Sequence, residues 1–439
     1  MATKPRKHEE DIWFSFSCLR VFVVAFLSSG ALAALATQAP VLSKNDRDIS
    51  RTMLRQIRED LERYYYDPTF RGIDLKAQFA DAEARLDKAA NASEATAILT
   101  DVVMQLNDSH TMFYPPRRSA SVEYGWSMSM IGDQPLVVDV AAGSDAAAKG
   151  LAPGDRVLAL NRFQPARDNL WQIRYLYHFV RPQAQQHLVV RKPDGTERTL
   201  DVLSKVTNKS IEQLDDLIDE IEAAPLVLDR DAPVGADILV WRMPGFRGPD
   251  AVQRAIRKAR GYKTLILDLR GNGGGALTAL SALVSTTFDH EVLVAVDRPR
   301  GKERPEVAKP AKNAFLGKLF VLVDSRSASA SEMFARIVQL EKRGAVVGDR
   351  TTGAVMAAQF FPHTVGLGAV AFYAMEVTVA DVRMSDGAGL EKIGVAPDVL
   401  ALPSPADLAA KRDPVLARAV ELAGGSITPE QAGQLFAAR

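Results

Sequence analysis

Cysteine is almost absent from this sequence, which contains Cys18 and no other. A single thiol can form neither an internal disulfide nor a thiolate metal cluster. Cys18 also precedes an apolar segment with the features of an export signal, so removal of that segment would leave a chain without cysteine. Covalent catalysis in such a chain would depend on serine, threonine or lysine.

Net charge is absent as well, because Lys+Arg and Asp+Glu both total 54. No overall field would attract this protein to nucleic acid or to an anionic membrane, and no basic tract follows the N-terminal segment. The sequence also has no cluster of residues at metal-ligand spacing. We therefore expect neither a nucleic-acid partner nor a metal.

The first forty residues have the pattern of an export signal. Basic residues between Lys4 and Arg20 precede an apolar run at 21–36, and residues 34–36 fit an A-x-A cleavage site. We predict a signal peptide at 1–36 and an exported, periplasmic or extracellular protein. The alternative is an uncleaved anchor facing outside the cytoplasm, which would be the protein's only contact with a membrane.

Hydrophobic periodicity divides the rest of the chain into four regions. Helical spacing comes first, short strands follow, and strands then alternate with helices, which predicts an α/β fold with parallel pairing. An acidic helical connector at 211–224 opens this third region. The predicted regions are a helical N-terminal region at 43–115, a β-rich domain at 122–206, an α/β core at 211–402 and a helical tail at 403–439.

Residues 321–336 (VLVDSRSASASEMFAR) join an apolar strand to an amphipathic helix. The turn between them is exposed, and the first N–H groups of the helix lack intrahelical partners. A serine in this turn has the access, the fixed position and the nearby donors that an acyl-transfer nucleophile needs. Helix capping is the alternative role, because serine is a preferred cap.

A second strand runs into the glycine cluster at 271–275 (GNGGG). The spacing Gly271-x-Gly273-x-x-Ala276 fits a dinucleotide fingerprint, with Asp297 at the end of the next strand, so a dinucleotide-binding oxidoreductase stays open. The charged Arg270 before the first glycine argues against it. The other use of such a loop is to bring bare backbone N–H groups close to a reacting carbonyl oxygen.

The β-rich region contains KGLAPGDRVL at 149–158. Gly-Leu-x-Pro-Gly-Asp before an apolar strand resembles a PDZ domain, whose groove takes an extended peptide as an added strand and captures its C-terminal carboxylate. An unrelated β-rich insertion is the alternative.

Three motifs together resemble the serine peptidase family that includes the C-terminal processing peptidases and tricorn protease. They are LDLRGNGGG at 267–275, VDSRSASASE at 323–332 and GVAPD at 394–398. The resemblance implies a crotonase/ClpP-like layered α/β core. It also implies Ser329 as nucleophile, with Ser327 and Ser331 as turn and cap residues. The oxyanion hole would comprise the N–H groups of Ala330 and of Gly274 or Gly275.

One position departs from the processing peptidases, which carry a general-base lysine where this chain has Ala354. The tricorn branch instead takes a histidine preceded by serine, which His110 after Ser109 resembles, and a glutamate before the closing motif, which Glu391 resembles. The resemblance thus implies His110 as general base with Ser109 and Glu391 in support. Taken alone, His110 is also compatible with a structural role.

These observations predict a serine peptidase that acts on protein or peptide substrates through an acyl-enzyme and uses no cofactor. Substrates would present their C-termini at the PDZ-like groove. Because of Ala354, a non-catalytic peptide-binding protein of the same fold is the main alternative.

Overall fold

The computed structural model describes residues 41–116, 120–208, 229–366 and 371–436. The predicted signal segment at 1–36 and the connector at 211–224 lie outside the described residues. Within the described ranges, no helix has the length and apolar character needed to cross a membrane.

Three helices form the N-terminal region: α1 (Lys44–Tyr64), α2 (Leu75–Leu86) and α3 (Ala92–Met104). Polar side chains cap their first turns, as Ser43 does for α1 by accepting a hydrogen bond from the N–H of Asp46. Their apolar faces pack on one another and on a long strand of the core described below. The chain leaves α3 and passes through residues 108–111, which we call the base segment, into a short strand.

A β-rich unit follows between residues 120 and 208. Two short strands that pair antiparallel, β2 (Ala120–Glu123) and β8 (Lys205–Asn208), bring its two ends together. Between them a five-stranded sheet runs in the order β3-β4-β5-β6-β7, and α4 (Asp145–Ala148) and α5 (Leu170–Tyr175) lie outside it. The strands are β3 (Trp126–Ile131), β4 (Gln134–Val140), β5 (Arg156–Leu160), β6 (Gln185–Arg191) and β7 (Glu197–Leu203). All the strands predicted in this region are present.

The core contains a six-stranded sheet in the order β18-β15-β14-β11-β10-β9, parallel except for β9. Its four central strands are mostly buried, which explains their continuous apolar runs, whereas the two edge strands are largely exposed. They are β9 (Arg230–Val234), β10 (Ile238–Arg242), β11 (Thr264–Asp268), β14 (Lys318–Val323), β15 (Ala345–Gly348) and β18 (Val399–Leu400). The predicted α/β layer with parallel pairing is confirmed.

A second sheet packs beside the first in the order β1-β17-β12-β13, with β16 paired to β17. Its strands are β1 (Met112–Tyr114), β12 (Val292–Arg298), β13 (Arg304–Ala308), β16 (Met356–Val365) and β17 (Ala371–Arg383). Its antiparallel pairing of β1 with β17 ties the base segment to the core.

Six helices complete the described chain. The core helices α6 (Pro249–Ala259), α7 (Leu277–Thr287) and α8 (Ala330–Leu340) share one apolar cluster with both sheets. The C-terminal helices α9 (Pro405–Ala409), α10 (Pro414–Leu422) and α11 (Pro429–Gln434) include two that cover the other face of the parallel sheet.

Strand order bears directly on the dinucleotide hypothesis. The strand that follows the glycine loop in sequence is β12, and it carries Asp297. Strand β12 lies in the second sheet and is not a neighbour of β11. The neighbour of β11 is β14, which ends at the nucleophile turn, residues 324–329. A dinucleotide fingerprint needs the acidic residue on the adjacent parallel strand, so this chain does not form one.

Candidate active site

Parallel pairing places two catalytic loops at one edge of the sheet. Strands β11 and β14 are neighbours, with Asp268 opposite Leu322, so the glycine loop after β11 and the nucleophile turn after β14 leave the same edge. Strand β15 follows β14 in the sheet, and the loop at 349–355 leaves this edge too. Loops at the carboxyl ends of parallel strands are the usual place for a site in such a sheet.

Ser329 sits at the sharpest point of the strand-to-helix turn. Its backbone has φ 55° and ψ −119°. This conformation is unfavourable for any residue other than glycine, so contacts elsewhere in the fold must maintain it. Its N–H lies 2.9 Å from the carbonyl oxygen of Ala354 and 3.1 Å from Oε2 of Glu332. The turn therefore holds the serine at the start of α8 through its backbone.

The two flanking serines have structural contacts. Buried Ser327 donates its hydroxyl to the carbonyl of Leu269 and accepts the N–H of Asp324, which makes it the predicted turn residue. Ser331 donates to the carbonyl of Asn272 from inside α8. The prediction that Ser331 caps the helix is wrong, because α8 begins at Ala330 and Ser329 is at the N-cap.

Glu332 is a site residue that the sequence reasoning missed. Its buried carboxylate accepts hydrogen bonds from the N–H groups of Ser329, Gly353 and Ala354, and from the hydroxyl of Thr351 at 2.5 Å. It thereby fixes both the nucleophile turn and the loop that carries Ala354. The Ser-x-x-Glu pattern of a capping box was the signal that could have identified it.

Burial raises the pKa of Glu332 to about 7, against the opposing effect of its four donors, with Thr351 first among them. The carboxylate therefore changes charge close to neutral pH. When it is ionised, all four donors are satisfied, and when it is protonated, one oxygen carries a hydrogen that competes with them.

The glycine loop is attached to the nucleophile turn through Asn272, a second residue that the sequence reasoning did not single out. Its side chain donates to the carbonyl of Met243 at 2.8 Å and accepts the N–H of Gly274 at 2.8 Å. Its own carbonyl accepts from Ala328 and Ser331. Buried Asn272 thus sets the distance between the two loops.

Close packing explains the two glycines predicted for the oxyanion hole. A Cβ on Gly274 would lie 2.6 Å from Cβ of Ser329, and one on Gly275 would lie 2.4 Å from the carbonyl oxygen of Phe246. Because the N–H of Gly274 already donates to Asn272, it is engaged within the loop.

The N–H of Gly275 has a different environment. Its bridge with Phe246 uses the carbonyl of Gly274 and the N–H of Ala276, and leaves the Gly275 N–H out. Ala330 is the first residue of α8, and the N–H groups of a helix's first turn have no acceptor within the helix. The geometry therefore favours Gly275 over Gly274 as the partner of Ala330.

The base segment brings together the three residues predicted to act with Ser329. Ser109 Oγ lies 2.7 Å from Nδ1 of His110 and donates to Oε2 of Glu391 at 2.7 Å. The Ser109 N–H also points at Oε1 of Glu391, at 3.3 Å. Since the serine hydroxyl has one hydrogen and gives it to Glu391, the hydrogen shared with His110 must come from Nδ1. Neutral His110 then carries its lone pair on Nε2, as a general base requires.

Within the base segment, the carboxylate of Asp108 fixes the backbone of His110. Buried Asp108 accepts hydrogen bonds from the His110 N–H at 2.9 Å, the Thr378 hydroxyl at 2.6 Å and the Tyr65 hydroxyl at 3.0 Å. Desolvation and the charge of Asp108 raise the pKa of Tyr65, which keeps its hydroxyl protonated and able to donate. The backbone of His110 is therefore fixed as firmly as its ring.

A hydrogen bond links Glu391, the acceptor of the Ser109 hydroxyl, to the loop at 349–355. Glu391 Oε2, which accepts from Ser109, also accepts the Val355 N–H at 3.0 Å, one residue beyond Ala354. His110, Ala328 and Ala354 line a single cleft of about 460 Å³. Ser109 and His110 thus line the same cleft as Ala328, the residue directly before Ser329.

The other described histidines lie outside this cleft. Each has a local partner: His178 packs edge-on against Tyr124, His187 pairs with Asp201, His290 with Asp289 and Glu341, and His363 with Asp60. Across the described ranges, no three His, Cys, Asp or Glu side chains are grouped so as to hold a metal ion.

The site is that of a layered α/β protein with a serine at a strand-to-helix turn and a histidine oriented through Ser109 and Glu391. Residues 237–401, which contain the glycine loop, the nucleophile turn and Glu391, match peptidase family S41. The resemblance to the C-terminal processing peptidases and tricorn protease is therefore confirmed.

Curated relatives agree with this family. The chain is 25% identical over 361 residues to the tail-specific protease of Haemophilus influenzae, covering 74% of this chain and 50% of that protein. It is 27% identical over 364 residues to the chloroplastic C-terminal processing peptidase of Tetradesmus obliquus, covering 77% and 74%. It is 26% identical over 379 residues to tricorn protease homolog 2 of Streptomyces coelicolor, covering 82% and 31%. The chain thus spans about half the length of the first relative and about a third of the last.

The fold has a solved counterpart in mature CPAF, with a TM-score of 0.65 and 16% identity over 89% of this chain and 98% of that one. At this identity the likeness concerns the fold alone. The names of the family and of its relatives identify the class of this chain as a serine-type peptidase, a hydrolase.

Proposed function

We propose that this protein hydrolyses peptide bonds through an acyl-enzyme on Ser329, with His110 as general base. The observation that carries the proposal is the relay Glu391–Ser109–His110, because its hydrogen-bond directions leave the lone pair of His110 on Nε2. Ser109 and Glu391 hold the ring and stabilise the imidazolium that forms when Ser329 loses its proton.

The proposed acyl-transfer steps use the side chains of Ser329 and His110 and two backbone N–H groups. Ser329 Oγ attacks the substrate carbonyl carbon, and its proton moves to Nε2 of His110. The oxyanion that develops is stabilised by the N–H groups of Ala330 and Gly275, with Gly274 shaping the loop. His110 returns the proton to the leaving amine, and water then releases the acyl group by the reverse sequence.

Ala354 agrees with this assignment of the base. Its N–H donates to Glu332 and its carbonyl accepts from Ser329, so the residue at the dyad position acts through its backbone. The base has a different origin, the segment before β1. The alternative of a non-catalytic peptide-binding protein predicts the same cleft without turnover.

The β-rich unit would present the substrate's C-terminal end as a PDZ-like domain. Its strand β3 is an edge strand, the position at which a peptide adds to such a sheet. The carbonyls of Met128 and Met130 on this strand accept hydrogen bonds from Arg174 and from Ser325 of the nucleophile turn. A peptide added at that edge would compete with these contacts. We propose protein substrates outside the cytoplasm, in accord with the predicted signal segment.

The test compares wild type with Ser329→Ala, His110→Ala and Ser327→Ala. Turnover of denatured casein and labelling by a fluorophosphonate are measured on folded protein. We expect Ser329→Ala to lose about 10⁵-fold or more in kcat and to resist labelling. His110→Ala should lose on the order of 10⁴-fold.

Ser327→Ala is the matched control, because it removes a serine two residues away that binds only backbone and Asp324. It should be labelled and keep turnover, with stability reduced by about 1 kcal/mol. Full turnover by His110→Ala would overturn the assignment of the base. Peptide binding without turnover or labelling in wild type would establish the binding protein.

A further inference from the structure

A carboxylate that the catalytic relay does not use lies in the same cleft. Glu376 on β17 lines the cleft together with His110, Met112 and Tyr114. Antiparallel pairing explains the grouping: Glu376 is directly opposite Met112, so these side chains share a face with Tyr114, two residues further along β1, and His110 lies in the turn just before this strand. The carboxylate is therefore beside the general base and on the substrate side of the sheet.

Glu376 has one neutral partner and no ion pair among the described residues. The Tyr114 hydroxyl donates to its Oε2 at 2.8 Å. Its other oxygen, Oε1, has no hydrogen bond within the described chain and is not fully buried. Oε1 is therefore turned toward the open cleft.

Of the three lysine and arginine residues that line the cleft, Arg350 among them, two have side-chain partners elsewhere. Arg167 pairs with Asp349 at 2.6 Å, and Lys392 lies 3.2 Å from Asn107 Oδ1 and near Glu391. Burial raises the pKa of Glu376, and His110 and the hydrogen bond from Tyr114 oppose this increase. Among the described residues, neither Arg167 nor Lys392 therefore pairs with Glu376.

Aromatic rings lie close to Tyr114, the hydrogen-bond partner of Glu376. The ring of Tyr114 lies 5.9 Å from that of Phe360, which is opposite Glu376 on β16, and 5.4 Å from that of Phe179. Trp171 lines the same cleft. A carboxylate close to aromatic rings is suited to a flat or elongated cation, because the rings stabilise positive charge and the oxygen accepts its hydrogen bonds.

We propose that Glu376 is a specificity residue that binds a basic side chain, arginine or lysine, of the substrate segment lying in the cleft. This inference rests on the proposed function only in taking the cleft as the place of cleavage. Arginine satisfies the geometry best, since its guanidinium can donate to Oε1 while its plane stacks on an aromatic ring. An acidic side chain at the same position is repelled.

The experiment uses pairs of peptides that differ in the charge of one side chain and are otherwise almost identical in shape. Cleavage sites in casein are first mapped by mass spectrometry, and matched peptides then carry arginine or its neutral isostere citrulline at each position flanking the bond. We expect one position at which wild type prefers arginine by about 10- to 100-fold in kcat/KM. In Glu376→Gln the ratio should fall toward one, and Glu376→Asp should recover part of it.

The exposed Glu291, just before β12 and outside the cleft, provides the matched control, and Glu291→Gln should keep the wild-type ratio. A wild-type ratio near one at every position overturns the proposal without any variant. A ratio that survives in Glu376→Gln overturns it as well.

Binding separates this inference from the proposed function. The same peptide pairs are titrated into Ser329→Ala, and their Kd values are measured by fluorescence anisotropy. Tighter binding of the arginine peptide supports the role of Glu376 even if wild type shows no turnover, a result that would reject only the peptidase mechanism. Equal Kd values together with turnover reject only the role of Glu376.

Discussion

The nucleophile turn and the base segment differ in how far along the chain their supporting residues lie. Ser329 is held by Glu332, three residues later, and by the loop around Ala354, some twenty residues beyond that. Ser109, by contrast, donates to Glu391 across 282 positions. Both regions fix one catalytic side chain, but the first is local to a strand, a turn and a helix, and the second exists only when distant segments meet.

This difference has a consequence for robustness. The nucleophile turn is strained at Ser329, and its support is one carboxylate whose pKa is about 7, so its geometry depends on pH. The base segment is stabilised by several neutral donors around Asp108 and by the Ser109 relay. Each region should therefore fail in its own way when its support is removed.

The largest expected effect comes from cutting the long-range contact. In Glu391→Ala, the Ser109 hydroxyl loses its acceptor and is free to donate to Nδ1 of His110, which moves the ring proton to Nε2. A general base in the wrong tautomer should lower kcat by about 10²- to 10⁴-fold. Steady-state kinetics on a peptide substrate measures this.

The matched variant Ser109→Ala should fall within the same range, because it removes the other half of the relay. Glu391→Gln should be milder, since one amide oxygen can still accept from Ser109. If Glu391→Ala retained the wild-type kcat, the relay would have no catalytic role.

A smaller effect is expected in the nucleophile turn from Glu332→Gln. The amide nitrogen would face donors that now point at a carboxylate oxygen, and the displaced turn should lower kcat by about 10- to 100-fold. Wild-type activity should also decline as the pH falls below about 7, the pKa of Glu332, and the decline should be smaller in the variant.

Stability should change with pH in the opposite sense. The pKa of Glu332 is raised in the folded state from its ordinary 4.5 to about 7. Between these values the folded protein keeps a proton that the unfolded chain has released. The free energy of unfolding should therefore fall as the pH rises through this window, by at most about 1.4 kcal/mol per pH unit. Urea midpoints at pH 5, 6, 7 and 8 would show the slope in wild type, and an identical slope in Glu332→Gln would contradict this account.

The smallest effect on catalysis is expected from removing a hydrogen-bond donor to Asp108. Thr378→Val removes one donor from buried Asp108 and keeps the side-chain volume. Leaving that oxygen with fewer partners should cost about 1 to 3 kcal/mol of stability and lower kcat by less than about 10-fold. Thermal melts and kinetics on the same sample measure both.

Tyr65→Phe tests the other oxygen of Asp108 and should behave alike, because its hydroxyl donates at 3.0 Å. A loss of kcat as large as that of Glu391→Ala, without a change in melting temperature, would show that Asp108 acts in the chemistry and not only in support.

The spacing of residues along the chain was sufficient to predict the strand, turn and helix that carry Ser329. An apolar strand, a small-residue turn and an amphipathic helix follow one another within residues 321–336, so Ser329 and the first N–H of α8 could be placed from the sequence. The substitution of Ala354 for a lysine also directed attention to His110. The partnership of His110 with Glu391 came from family resemblance, and no local pattern connects the two.

Tertiary structure decided the features that depend on sheet register and packing. Strand β12 joined the second sheet, which separated Asp297 from the glycine loop. Asn272 engaged the N–H of Gly274, and Glu376 came to face the cleft because β17 pairs with β1. The sequence by itself determined the turn, the glycines and the helix that follow each strand, since these depend on neighbours along the chain. The partners of those groups were determined by the fold, because hydrogen bonds between distant residues follow from which strands lie side by side.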